Sequence, residues 1–199
     1  MLNFARREIP VKIVYAGPPF AGKTTNLEVL RDRAPDSILE SRPGAEGQRT
    51  LTLELRPLPP SEMHDWRLKT LIVSLSSKIP DDAARRHAIM GADGVVFVAD
   101  SQRVRLAENR SVLEALKRDL VETGIDPALL PFVFQWNKRD LPDPVHGNVL
   151  AKSLDTRGAP MIEAVALRGE GVVATLEKIL ELIRQQLKKE YGNLPGPRR

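Results

Sequence analysis

Apolar positions along this chain fall into short dense runs, separated by longer stretches with helical spacing. Residues 10–16, PVKIVYA, are mostly apolar, as expected of a strand buried on both faces. Residues 50–58, TLTLELRPL, put Leu51, Leu53 and Leu55 on alternate positions, a period of two that predicts a half-buried strand. A proline-containing turn at residues 59–61 leads into residues 67–75, RLKTLIVSL, so these two runs are expected to pair as a hairpin. Residues 93–100 (DGVVFVAD), 131–136 (PFVFQW) and 161–166 (MIEAVA) complete six strands. Between them the period changes. Val112, Leu113, Leu116 and Leu120 share one helical face, as do Val172, Val173, Leu176, Ile179, Leu180, Ile183 and Leu187. A further helix is expected from Lys23 to about Arg33, because Pro35 disfavours helix in the residue before it.

Strands alternating with helices predict an α/β fold: a mostly parallel six-stranded sheet, helices on both faces, and one antiparallel edge hairpin. Ligands in such sheets bind at the carboxyl ends of the strands. Residues 1–190 are read as a single domain, and residues 191–199, YGNLPGPRR, as a coil tail.

Composition narrows the function classes. The 199 residues are 42% hydrophobic and 28% charged, a soluble globular balance with enough mass for a core. No apolar run approaches the roughly 20 residues that span a bilayer. The start, MLNFARREIP, lacks the apolar centre of a secretory signal, so a cytoplasmic location is expected. Cysteine is absent, which excludes disulfides, thiolate chemistry, prenylation and palmitoylation, while Leu2 excludes a myristoyl glycine. No lipid anchor is therefore expected. The net charge of +4 is scattered among 26 acidic residues, with no basic, aromatic-interleaved stretch suited to nucleic acid. His64, His87 and His146 have no metal-ligand spacing. A monomer is the default expectation.

Residues 17–24, GPPFAGKT, match G-x-x-x-x-G-K-[ST] between a buried strand and a helix, the context that gives this pattern a mechanism. Such a loop turns consecutive backbone N–H groups onto phosphate oxygens, and the following helix adds its positive end. The residues expected to line the phosphates are Gly17, Phe20, Ala21, Gly22, Lys23, Thr24 and Thr25. Lys23 is expected to reach the β- and γ-phosphates, and the Thr24 hydroxyl to ligate Mg²⁺. Pro18 and Pro19 each remove one N–H donor at the loop entrance, which predicts a stiffened loop rather than a broken one.

Residues 137–140, NKRD, fit N-K-x-D and follow the strand PFVFQW directly. The Asp140 carboxylate is an acceptor pair suited to the N1–H and N2–H₂ donors of guanine. Adenine offers an acceptor on that edge and would leave the carboxylate unpaired, which also argues against an ATP-using kinase. Lys138 can lay its stem on the base, and Asn137 can tie this loop to the phosphate loop. At the last strand's end, Val165, Ala166 and Leu167 are expected beside the base, with the Ala166 N–H offered to the guanine O6. GTP or GDP with Mg²⁺ is the ligand these motifs predict.

Taken together, NFARREI, KIVYAGP…GKTTNL, QRTLTLELRPL, GADGVVFVADS, NKRDLPD and EAVA…GEGV make the chain resemble small Ras-like GTPases, and among them the bacterial MglA group. The resemblance covers nearly the whole chain. It implies the P-loop NTPase fold, a switch controlling cell polarity or motility, effector proteins, and recruitment to a cell pole. It also implies a roadblock-type, MglB-like homodimeric regulator. By position, it implies that Thr50 is the first-switch threonine that closes onto Mg²⁺ and the γ-phosphate. Arg49 would be the arginine finger of the transition state.

One segment departs from the group. Ungapped alignment puts residues 74–78, SLSSK, on the second switch, where the group resembles T-V-P-G-Q. Ser76 replaces proline, Ser77 replaces glycine and Lys78 replaces glutamine. A serine held at positive φ would cost about 1–2 kcal/mol. Lysine has three donors and no acceptor, so it cannot orient an attacking water as glutamine does, although it can stabilise negative charge. The expectation is intact nucleotide binding with slow or partner-dependent GTP hydrolysis. The alternative is a non-cycling scaffold that holds one guanine nucleotide.

Overall fold

The computed structural model describes residues 8–43, 49–55, 67–75 and 82–191. In chain order the elements are β1 (Glu8–Ala16), α1 (Lys23–Arg33), β2 (Ile38–Pro43), β3 (Arg49–Leu55), β4 (Arg67–Ser74), α2 (Asp82–Ile89) and β5 (Gly94–Asp100). They continue with α3 (Leu106–Glu122), β6 (Phe132–Asn137), α4 (Gly147–Leu154), β7 (Met161–Glu163) and α5 (Val172–Tyr191). One sheet holds all seven strands in the order β2-β3-β4-β1-β5-β6-β7.

Only β3 runs against the others, antiparallel to both β2 and β4. The hairpin read from Leu51, Leu53 and Leu55 is therefore present, but it lies one strand inside the edge. The extra edge strand is β2, ILESRP, which the sequence pattern did not disclose. Its central Glu40 and Ser41 are exposed, so no apolar period marks it. Such polar edges also discourage pairing with other chains.

Helix α1 starts and stops where the sequence predicts. Gly22 breaks the preceding loop with φ 102, and Ala34, ahead of Pro35, leaves the helical region. The two faces of the sheet are covered separately. Leu27 and Leu30 of α1 and Leu176, Ile179 and Ile183 of α5 pack with Ile13, Tyr15, Val96 and Val98. On the other face Ile89, Leu113, Leu116, Leu120, Leu150 and Leu154 pack against Val14, Val95, Phe97, Phe134 and Trp136. Strand β5 is buried along its full length because alternate residues enter opposite cores. Burial of this kind contributes roughly 25 cal/mol per Å² of apolar surface.

Tyr191, read as the first residue of the tail, is the last residue of α5. His87 is exposed, and His146 caps α4, accepting from the Asn148 N–H; His64 lies outside the described residues. Among the described residues no helix is long and apolar enough to cross a membrane.

Candidate functional site

The chain leaves β1 for strands on one side of it and later returns to β5 on the other. That reversal opens a crevice at the carboxyl ends of β1 and β5. Residues 17–22 lie at this point. Gly17 takes φ 143, and a Cβ there would stand 2.1 Å from the Val98 carbonyl oxygen of β5. The loop thus presses on the neighbouring strand more closely than any side chain allows. It turns through Ala21 N–H donating to the Pro18 carbonyl at 3.3 Å, with Phe20 left-handed at φ 62 and 73% exposed. The two prolines leave the turn closed, as their entrance position predicts.

Lys23 begins α1 and folds back beneath the loop. Its ammonium donates to the carbonyls of Gly17 at 2.8 Å and Pro18 at 2.7 Å. Burial pushes this ammonium down to about 8 from 10.5, and the negative charge of Glu108 opposes the fall only in part. No side chain caps α1, and no acidic residue sits in its first turn. The first N–H groups of the helix and a desolvated cation therefore lie together, an arrangement suited to an anion. Thr24 is exposed and Thr25 half-buried at that opening.

The second loop follows β6. The Asn137 side chain donates to the Ala21 carbonyl at 2.7 Å and accepts from the Ala166 N–H at 2.9 Å. One amide thus joins all three loop segments. Lys138 is left-handed, φ 64, and its ammonium meets the fully buried carboxylate of Asp100 at 2.7 Å. Asp100 also accepts from the Gln102 N–H at 3.0 Å. The Asn109 side chain brackets the Asp100 backbone, accepting its N–H at 3.1 Å and donating to its carbonyl at 2.8 Å. Asp140 stands exposed, and among the described residues no hydrogen bond or ion pair occupies its carboxylate.

The Ala166 N–H, expected at the guanine O6, is donated to Asn137 in this structure. Ala166 is buried, while the 85% exposed Leu167 supplies the next N–H of the short 3₁₀ turn Ala166–Arg168. Val165 closes that turn by exchanging hydrogen bonds with Glu170 at 3.1 and 3.2 Å.

Thr50 of the first switch is not brought to this cluster. Thr50 lies in β3 opposite Arg42, two strands from β1 and so on the order of 10 Å away at 4.7–4.9 Å per strand step. Because β3 is reversed, its Arg49 end nevertheless lies on the same rim of the sheet as the phosphate loop. Ser76, Ser77 and Lys78 lie outside the described residues.

The sequence reading missed Asp100 and two of its partners, Gln102 and Asn109. The signal was present: an acid ending an otherwise wholly apolar strand, GVVFVAD. The fit to a nucleotide is chemical. Among the described residues, a buried cation held by neutral carbonyls suits phosphate, and a carboxylate with no partner suits the donor edge of guanine.

No family model matches the chain. Over 193 residues it is 38% identical to the mutual gliding-motility protein MglA of Myxococcus xanthus (strain DK1622), an alignment spanning 94% of this chain and 97% of that protein. That extent of identity, on a Ras-like sheet with both loop motifs at its carboxyl rim, shows that the chain belongs to the MglA family of small GTPases.

Proposed function

We propose that this protein is a guanine-nucleotide switch acting in cell polarity or gliding motility, with GTP hydrolysis that is slow or completed by a partner. The observation that carries the reading is the Asn137 amide, bonded at once to Ala21 of the phosphate loop and Ala166 of the last loop. It supports a single ligand reaching from phosphate to base. In this reading the backbone of residues 17–25 receives the phosphates, Lys23 exchanges its carbonyl partners for phosphate oxygens, and Asp140 reads the guanine edge. Lys138, anchored by Asp100, presents its stem to the base. Val165, Ala166 and Leu167 border it.

Thr24 would hold Mg²⁺, joined by Thr50 once the first switch closes. When bound, the ion neutralises charge on the β- and γ-phosphates. Arg49 would add positive charge to the transition state, also only after closure. Lys78, in place of a water-orienting glutamine, stabilises γ-phosphate charge but offers no acceptor to orient the attacking water. Ser77 weakens the discrimination between GTP and GDP. Slow turnover follows from those two residues.

A regulator of the roadblock, MglB-like class, effector proteins and recruitment to a cell pole belong to the same reading. The test is chromatography of nucleotide released from the purified protein, then single-turnover hydrolysis of Mg·GTP with and without a roadblock-type dimer. Stoichiometric guanine nucleotide and slow unaided turnover are expected. Release of adenine nucleotide, or unaided turnover as fast as that of an activated family member, would overturn the proposal.

A further inference from the structure

Behind the two loops lies a chain of buried polar side chains that the motifs do not contain. At the start of α1 the Gly22 carbonyl accepts from the Asn26 N–H at 3.0 Å and from the Asn26 side-chain amide at 2.9 Å. At the start of α5 the Gly171 carbonyl is bound in the same manner, by the Thr175 N–H at 3.0 Å and the Thr175 hydroxyl at 2.7 Å. Gln135 of β6 connects the two ends. It exchanges a reciprocal amide pair with Asn26, 2.9 Å each way, and donates its remaining N–H to the Thr175 hydroxyl at 2.9 Å. Asn26, Gln135 and Thr175 are all 0% exposed. Every polar hydrogen of the two amides and the hydroxyl has a partner.

Stability is not expected to depend on this chain. Exchanging a buried hydrogen-bonded set for apolar groups of similar shape is nearly neutral or stabilising, because the desolvation of every polar atom is removed with it. A fully satisfied network contributes geometry instead, since its hydrogen bonds accept one arrangement and apolar contacts accept several. Its position says which geometry. Gln135 and Asn137 are two residues apart on one face of β6. Asn137 ties the front of the phosphate loop to the last loop. Gln135 ties the helix behind the phosphate loop to the helix behind the last loop.

We propose that Asn26, Gln135 and Thr175 are positioning residues that fix the separation of the phosphate-binding and base-binding halves of the nucleotide site. The proposal rests on reading residues 17–25 and 137–140 as those two halves. A nucleotide spans both, so misalignment penalises it; a ligand that touches only one half is indifferent. Loss of alignment therefore accelerates release of GDP and leaves binding of pyrophosphate unchanged.

The test uses the full chain loaded with a fluorescent GDP and chased with excess GDP at fixed Mg²⁺. In the triple variant Asn26→Leu, Gln135→Met, Thr175→Val, dissociation is expected to quicken about tenfold, the equivalent of one hydrogen bond. Its thermal midpoint without nucleotide should be preserved or raised, and its pyrophosphate affinity unchanged. Should that variant fail to fold, Thr175→Val alone decides, since Thr175 lies on α5 and breaks only the last link. Its GDP release should be faster than that of Thr175→Ser, which keeps the hydroxyl and should match the unmodified protein. GDP release in Thr175→Val no faster than in Thr175→Ser overturns the proposal, as does equal weakening of GDP and pyrophosphate. An unmodified protein that binds no GDP removes the site reading itself, and that outcome is visible before any variant is made.

Discussion

Two lysines mark the two loops, and they are held in opposite ways. Lys23, under the phosphate loop, donates to two neutral carbonyls and is desolvated enough to fall to about 8. Lys138, in the base loop, is matched to the buried carboxylate of Asp100. Carbonyl dipoles leave the first charge largely uncompensated, whereas a carboxylate answers the second in full. Lys23 therefore retains a demand for negative charge that a phosphate can meet. Lys138 has no such demand; what it contributes is the fixed course of its stem.

The contrast is broken most severely at Lys23. Lys23→Met keeps the stem and removes the charge, and GDP affinity is expected to fall about 10²–10⁴-fold, the loss of one or two charge-assisted hydrogen bonds. The nucleotide-free protein should not lose stability, because a buried charge has gone. Calorimetric titration and thermal unfolding check the two halves; an unfolding midpoint that drops with the affinity would show that Lys23 is a structural cation.

Base reading should change sign at Asp140. Asp140→Asn swaps one acceptor for a donor, so guanine loses an N–H partner and the preference shifts toward a xanthine base by about 10²-fold. Competition between GDP and XDP measures it. Unchanged preference would mean the exposed carboxylate does not face the base.

A smaller effect is expected at Asp100. Asp100→Asn leaves Lys138 with a neutral partner and should cost about 1–3 kcal/mol of stability in urea unfolding. GDP affinity should drop less than it does in Lys23→Met. An equal drop would mean that the charge of Lys138, and not its course, binds the ligand.

The smallest effect is a proton. Without nucleotide Lys23 sits near 8, and phosphate must raise it toward or above its ordinary 10.5. Binding above pH 8 therefore takes up protons, and affinity declines as pH rises through 8. Folding has the opposite slope. Between about 8 and 10.5 the unfolded chain holds the proton that the folded chain has shed, so nucleotide-free stability rises with pH across that window. Titrations in buffers of different ionisation enthalpy report the proton count, and zero uptake at pH 9 would contradict the assignment.

The limits of α1 were legible in the sequence because Gly22 and Pro35 act locally, the glycine through its freedom to take φ 102 and the proline by restricting Ala34. Much of both cores was legible from dense apolar runs and from repeats of 2.0 or 3.6, but the short helices α2 and α4, which add Ile89, Leu150 and Leu154, were not read. Strand β2 was not, since an edge strand with exposed polar residues needs no pattern. The loop motifs could be read as strings, but their internal bonding could not. That Ala166 gives its N–H to Asn137, or that Gln135 meets Asn26 across 109 positions of sequence, depends on how separate segments stack. Gln135 did leave one trace, as one of two polar residues, with Asn137, within the buried part of β6.

The contact between Gly22 and Asn137 carries a constraint on how this sequence can vary. A methyl group on Gly22 would stand 2.1 Å from the Asn137 side-chain nitrogen, at a backbone angle that already disfavours any side chain. The two positions are 115 residues apart, yet a side chain at Gly22 would push directly on the amide that ties the three loops together. Its positive φ adds strain that no change at Asn137 removes. The phosphate and base motifs thus share one contact, and damage at the first reaches the second.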